Sequence, residues 1–98
     1  GLPEAQNLLG VIYGTGQYGV ARNDQVSVQW LRRAAVQGYA PAEFSLGLAY
    51  AEGRGVKKDP QQAYGWMLRA SRRGHAPATA YVKEIDDLMA KKREARRQ

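Results

Sequence analysis

Apolar residues recur along this chain in short blocks with helical spacing. Ala5, Leu9, Ile12 and Tyr13 fall at i, i+4, i+7 and i+8, which is one stripe of an amphipathic helix. Ala42, Leu46, Ala49 and Tyr50 repeat that stripe further on. Ser27, Trp30, Leu31 and Ala34 form a second type of stripe, echoed by Ala63, Trp66, Met67 and Ala70. A fifth block runs through Ala78, Tyr81, Val82, Ile85 and Met89. No block alternates with the period of two that marks a half-buried strand. The pattern therefore predicts an all-α chain of five helices, over 3–14, 24–37, 41–52, 60–73 and 77–95.

The punctuation agrees with the stripes. Pro3, Pro41 and Pro77 sit where three of the stripes begin, and Pro60 opens the fourth predicted helix. Proline suits the first helical turn, where its missing N–H costs nothing. Asn23 and Asp59 stand where an N-cap is needed. Gly38 and Gly74 follow the stripes as left-handed C-caps. Arg32, Arg33, Arg69, Arg72 and Arg73 gather where the helix dipole favours cations.

The stripes belong to a duplication. Residues 5–41 align with 42–77 when one residue, Tyr18, is skipped, and fourteen of the thirty-six aligned pairs are identical. The identities include Gly10 with Gly47, Tyr13 with Tyr50, Trp30 with Trp66 and Gly38 with Gly74. A helix-interior glycine costs about 1 kcal/mol against alanine. Its presence in both copies predicts a close approach there by the second helix, which carries Trp30 or Trp66. The core-stripe spacing of the two tryptophans favours packing over ligand stacking. The unit boundaries are repeat 1 at about 5–40, repeat 2 at about 41–76, and a C-terminal capping helix over 77–98. In that last helix Lys83 replaces the interior glycine, and no glycine loop or tryptophan follows.

The motif A-x-x-x-L-G-x-x-Y-x-x-G-x-G-V-x-x-D-x-x-x-A-x-x-W-x-x-x-A-x-x-x-G, complete from Ala42 to Gly74, resembles the Sel1-like repeat (SLR) family, relatives of the tetratricopeptide repeat. The first copy departs by the residue inserted before Gly19, by Asn23 for aspartate and by Ser27 for alanine. The resemblance implies an α/α solenoid, a right-handed superhelix of antiparallel helix pairs whose first helices line a concave face. It implies a non-catalytic scaffold that binds a protein or peptide partner and needs no cofactor. Many bacterial members are exported, so an exported or periplasmic place and a cytoplasmic one are both compatible.

Composition narrows the picture further. The chain has 98 residues and no cysteine, which bounds it to one small domain without disulfides or thiolate metal sites. No apolar run is long enough for a membrane span. The net charge is +6, but residues 91–98 hold five basic side chains and one acidic one, leaving only +2 for the rest. This basic end gives the alternative function, docking on nucleic acid or another polyanion through residues 91–97. It lacks interleaved aromatics, so a solvated helix end is the simpler account. Gly1-Leu2-Pro3-Glu4-Ala5 aligns with Gly38-Tyr39-Ala40-Pro41-Ala42. Further repeats upstream in a longer parent are therefore expected. An uncovered first helix pair would then allow weak self-association.

Chemical motifs are sparse. Gly14-Thr15-Gly16-Gln17-Tyr18-Gly19 spells G-x-G-x-x-G, but it follows a helix rather than a strand, so a turn between helices is expected instead of a dinucleotide site. His75 is the only histidine, with no second imidazole or thiolate to share a metal. Glu84, Asp86 and Asp87 read as a solvated face, and no serine has a base and an orienting acid to make a nucleophile. No small-molecule substrate is implied.

The partner-binding surface is expected on the first helices, away from their core stripes. Asn7 and Val11 share that face in copy one, and Phe44 and Leu48 hold the same places in copy two, each pair at i, i+4. Ala80 and Glu84 would continue the strip onto the last helix. Phe44 beside Leu48 would be apolar surface without a core duty, which often marks recognition.

Overall fold

A computed structural model describes residues 1–97; Gln98, the last residue of the expected capping helix, lies outside them. Five helices follow one another: α1 (Pro3–Thr15), α2 (Asp24–Ala35), α3 (Ala40–Glu52), α4 (Pro60–Arg72) and α5 (Ala76–Arg97). A short 3-10 turn, Gln17–Gly19, lies between α1 and α2. The described residues contain no strand. Each helix packs on the next, α1 on α2, α2 on α3, α3 on α4 and α4 on α5. The stack is elongated, 53 × 25 × 18 Å, with a radius of gyration of 14.7 Å. A compact domain of this length would have about 13 Å.

Local chemistry sets the helix ends. Asn23 Oδ1 accepts the Val26 N–H at 3.1 Å, and Asp59 Oδ1 accepts the N–H groups of Gln61 and Gln62, each at 3.1 Å. Both caps satisfy donors that an α-helix leaves orphaned. α1 and α3 end on Gly16 and Gly53 in left-handed conformation. The inserted Tyr18 also takes positive φ, 58°, and is the only non-glycine residue described with it. The insertion is thus absorbed in a strained, exposed turn. The G-x-G-x-x-G run is the end of α1 followed by this turn.

The interior glycines do admit a close approach, though not by the tryptophans. A Cβ on Gly10 would lie 2.6 Å from Leu31 Cδ2, and one on Gly47 would lie 3.1 Å from Met67 Cε and 3.2 Å from the Ala63 carbonyl. Leu31 and Met67, one residue beyond each tryptophan, make the contact. Trp30 and Trp66 are only half-buried. Each carries a guanidinium on its ring face, Arg33 at 4.7 Å and Arg69 at 4.8 Å from the centroid. Trp66 still packs against the core at its edge.

The core lies in two clusters. The first joins Val28, Leu31 and Ala34 of α2 to Ala42, Leu46 and Tyr50 of α3. The second joins Met67 and Ala70 of α4 to Ala78 and Val82 of α5. The stripe residues of α3 are buried, whereas Ala5 of α1 is exposed and Leu9 and Tyr13 are only half-buried. In the stack, α3 has helices on two sides and α1 has one. On α5 the expected core stripe gives out after Ile85: Met89 is 52% exposed, and every residue from Asp86 to Arg97 is exposed. α5 has 22 residues and α4 has 13, so α5 overhangs α4 by about nine residues, or about 13 Å.

Polar pairs clasp each repeat. Gln37 Nε2 donates to Gln6 Oε1 at 2.7 Å. At the equivalent positions in the second repeat, Arg73 Nε donates to Glu43 Oε1 at 2.9 Å. Glu43 is 1% exposed, so removal of that guanidinium would leave a buried carboxylate without its partner.

Candidate partner-binding surface

The first helices of the two repeats, α1 and α3, flank an open cavity of about 120 Å³. Val11 and Leu48 both line it, so the fold brings together two residues that are 37 apart in sequence. Gly10 and Gly14 line the α1 side, and Arg54 places a cation at the rim. Ser27 closes part of the depth, its hydroxyl donating to the Gly10 carbonyl at 2.6 Å. The wall mixes the aliphatic Val11, Leu31 and Leu48 with the hydroxyls of Thr15, Ser27 and Ser45, and Arg54 at its rim is paired with Glu52. Such a surface can take an aliphatic side chain and orient a carboxylate or carbonyl beside it.

The other expected residues do not meet there. Phe44 is half-buried, with its ring centroid 5.2 Å from that of His75 and tilted by 51°. Phe44 and Leu48 also pack against the second core cluster. The expectation that they are apolar surface free of core duty is therefore corrected. The connector following α4 brings His75 onto the ring, and α5 supplies the wall behind it. His75 serves as this packing partner. Ala80 and Glu84 line a separate shallow depression on α5 with Lys83 and Leu88.

Asn7 is anomalous. Its Oδ1 is buried and has no hydrogen-bond partner among the described residues. Phe44 holds the same position in the second repeat, where it is an ordinary packing residue. An orphan acceptor costs about 1–3 kcal/mol, so asparagine is not at this position for stability.

Two features escape the sequence pattern. One is a cavity of about 470 Å³ between the start of α4 and the outer half of α5, lined by Tyr64, Ile85 and Met89 among others. The other is the bond from Tyr64 Oη to Asp86 Oδ1 at 2.7 Å. The hydrogen bond to that carboxylate, with burial second, raises the Tyr64 phenol above its usual pKa. Among the described residues no group of histidine, cysteine or acidic side chains is arranged to hold a metal ion. No helix among them is long and apolar enough to cross a membrane.

Antiparallel helix pairs, stacked in order and joined by glycine turns that recur at one period, define a helical-repeat solenoid. The Sel1 repeat profile matches residues 3–39 and again 40–75, and the chain belongs to the Sel1 repeat family. Comparison with curated proteins gives no match. Among solved structures it is similar to a Sel1 repeat protein from Oxalobacter formigenes, with 41% identity over 82% of this chain and a TM-score of 0.79. It is also similar to c5321, a protective antigen present in uropathogenic Escherichia coli strains displaying an SLR fold, with 42% identity over 80% of this chain and a TM-score of 0.77. The matches span 32% and 16% of those two chains. Sel1 repeats are protein-interaction modules and in general non-catalytic scaffolds.

Proposed function

We propose that this chain is a non-catalytic scaffold that receives a protein or peptide partner on the face of its first helices, with Val11 and Leu48 at the centre. The units are repeat 1 at about 5–40, repeat 2 at about 41–76 and a cap over 77–98. Asn7 and Phe44 are assigned to the margins of the same surface, Phe44 through the part of its ring left open, and Ala80 and Glu84 to the separate depression on α5. The observation that carries this reading is the cavity between α1 and α3, where two aliphatic side chains face an unfilled space beside Arg54. The unpartnered Oδ1 of Asn7 adds an acceptor that a partner N–H can satisfy once the amide turns outward. The exposed Leu2, at the N-cap of α1, and Leu8 on α1 supply the weak self-association surface.

The test uses the intact parent protein with a photo-crosslinking amino acid at position 11 or 48, and at Gln29 on exposed α2 as the control. Positions 11 and 48 should trap the same partner, and Val11→Glu with Leu48→Glu should abolish trapping from a crosslinker placed at Ser45, which lines the same cavity, without lowering helical content. Trapping from position 29 alone would place the surface on the opposite side of the stack.

A further inference from the structure

The two junctions between successive repeats are built differently at one point. At the first, the chain leaving α3 turns back over the start of α2. Gly55 lies so near the Asp24 carbonyl and the Gln25 N–H that no Cβ would fit. Val56 follows and packs against the first core cluster, which contains Val28. The start of α2 is thus covered by a glycine and a valine in an extended loop.

A shift of thirty-six residues carries Asp24, Gln25 and Val28 onto Pro60, Gln61 and Tyr64. The same shift carries Gly53, Gly55 and Val56 onto Met89, Lys91 and Lys92. Without the glycines α5 runs straight on to Arg97, and nothing in the described residues returns over the start of α4. The space that remains is the cavity of about 470 Å³ lined by Pro60, Tyr64, Ile85, Asp86, Met89 and Arg93. Its size is within the range of ligand pockets, about 300–1,000 Å³. Met89, which lines it, is 52% exposed.

Charge decides what fits. Arg93 lines the cavity, and Lys91, Lys92, Arg96 and Arg97 extend along the same exposed overhang, with only Glu94 opposing them. Asp86, the lining carboxylate, already accepts the Tyr64 hydroxyl. The loop that fills the equivalent space at the first junction continues as Lys57-Lys58. A second copy of that loop would be repelled here. We propose that the step between α4 and the α5 overhang is a second docking site, which binds an extended acidic segment of a partner protein. That segment places a small residue and an aliphatic one where Gly55 and Val56 would lie, with its carboxylates along Arg93 and Lys92. The site is separate from the α1–α3 surface and does not depend on it.

The sequence supplies its own probes, because it has two methionines and two isoleucines. Met89 and Ile85 line the step, whereas Met67 is buried and Ile12 lies on α1. The 97 described residues and Gln98, methyl-labelled at Met and Ile, are titrated with capped Asp-Asp-Gly-Val-Asp-Asp or with capped Lys-Lys-Gly-Val-Lys-Lys. The acidic peptide should shift the Met89 and Ile85 methyl signals saturably, with a Kd of about 1 mM or better. Raising salt to about 0.5 M should weaken it about tenfold. Met67 and Ile12 should not move, the basic peptide should not bind, and Met89→Glu should abolish the shift with helical dichroism unchanged. Equal binding of both peptides, or a shift at Ile12 instead, overturns the site. So does silence of Met89 and Ile85 at about 5 mM acidic peptide. If a DNA duplex binds under those silent conditions, the basic end is a polyanion contact instead.

Discussion

Gly14 and Ser27 offer the sharpest test of how this fold is packed. A Cβ added at Gly14 would lie 2.9 Å from Ser27 Oγ. That hydroxyl is buried and held by its bond to the Gly10 carbonyl at 2.6 Å. Alanine for glycine in a helix stabilises by up to about 1 kcal/mol. The new methyl, however, forces the hydroxyl to turn away. It then loses its hydrogen bond and, left unpaired in the interior, costs about 1–3 kcal/mol in all. Gly14→Ala alone should therefore destabilise by about 0–2 kcal/mol, a fall in Tm of up to about 10 °C for a chain this size. With Ser27→Ala in place the obstruction is gone, and the same substitution should stabilise by about 1 kcal/mol. Urea unfolding of the four members of the cycle, followed by helical dichroism, should give a coupling of about 1–3 kcal/mol. If Gly14→Ala has the same sign and size in both backgrounds, within about 0.5 kcal/mol, the close approach is not a real constraint.

Arg73→Met strands the Glu43 carboxylate and should cost about 1–3 kcal/mol, reduced from the fully buried case because Arg73 is half-exposed. Glu43→Gln with Arg73→Gln, copying the Gln6–Gln37 clasp, should restore most of that in a thermal melt. Tyr18→Gly should raise stability by about 1 kcal/mol, since it relieves a left-handed residue that is 84% exposed; an unchanged denaturation midpoint would show that the turn is unstrained. Among single truncations Met67→Ala should cost about 2–5 kcal/mol and half-buried Trp66→Ala about 2 kcal/mol, while ending the chain at Ala90 should be nearly neutral by denaturant midpoint.

The helices, their ends and their order were legible because each rests on local chemistry. Pro3, Asn23, Asp59 and Gly74 act within a few residues of where they stand, and the helical period fixes which side of each segment is apolar. The duplication added the stacking, since a unit that repeats must present the same faces to its neighbours. Burial depth was harder to read. Trp30 and Leu31 are adjacent, and a stripe drawn on one helix cannot say which of them meets Gly10; the side chain leading into the next helix wins, and the aromatic edge takes an arginine instead. Phe44 looked free because its partner, His75, lies in a connector thirty-one residues away. The step beside Tyr64 was invisible for another reason: α5 runs on through the positions that form a covering loop at the first junction, and no local signal marks the space this leaves.

The two repeats also serve as controls for each other. Where residues touch, they differ between copies as pairs. Ser27 goes with Gly14 in the first copy and Ala63 with Ala51 in the second, so the hydroxyl is present only where its neighbour lacks a side chain. Gln6 goes with Gln37, and Glu43 goes with Arg73, so each clasp is matched in charge. Packing therefore constrains these positions jointly, and a change at one is offset at the other. Asn7 and Phe44 depart from this rule. The aromatic ring of one copy is replaced in the other by an amide whose oxygen has no partner among the described residues. A substitution that leaves a cost uncompensated within the fold points to a contact outside it. Asn7→Leu separates the two explanations. It removes the orphan acceptor and should stabilise the domain by about 1 kcal/mol. If Asn7 serves recognition, the same variant should be trapped less efficiently by the partner captured at positions 11 and 48. Gain of stability with trapping unchanged would leave Asn7 as a packing defect and confine the surface to Val11, Leu48 and their immediate neighbours.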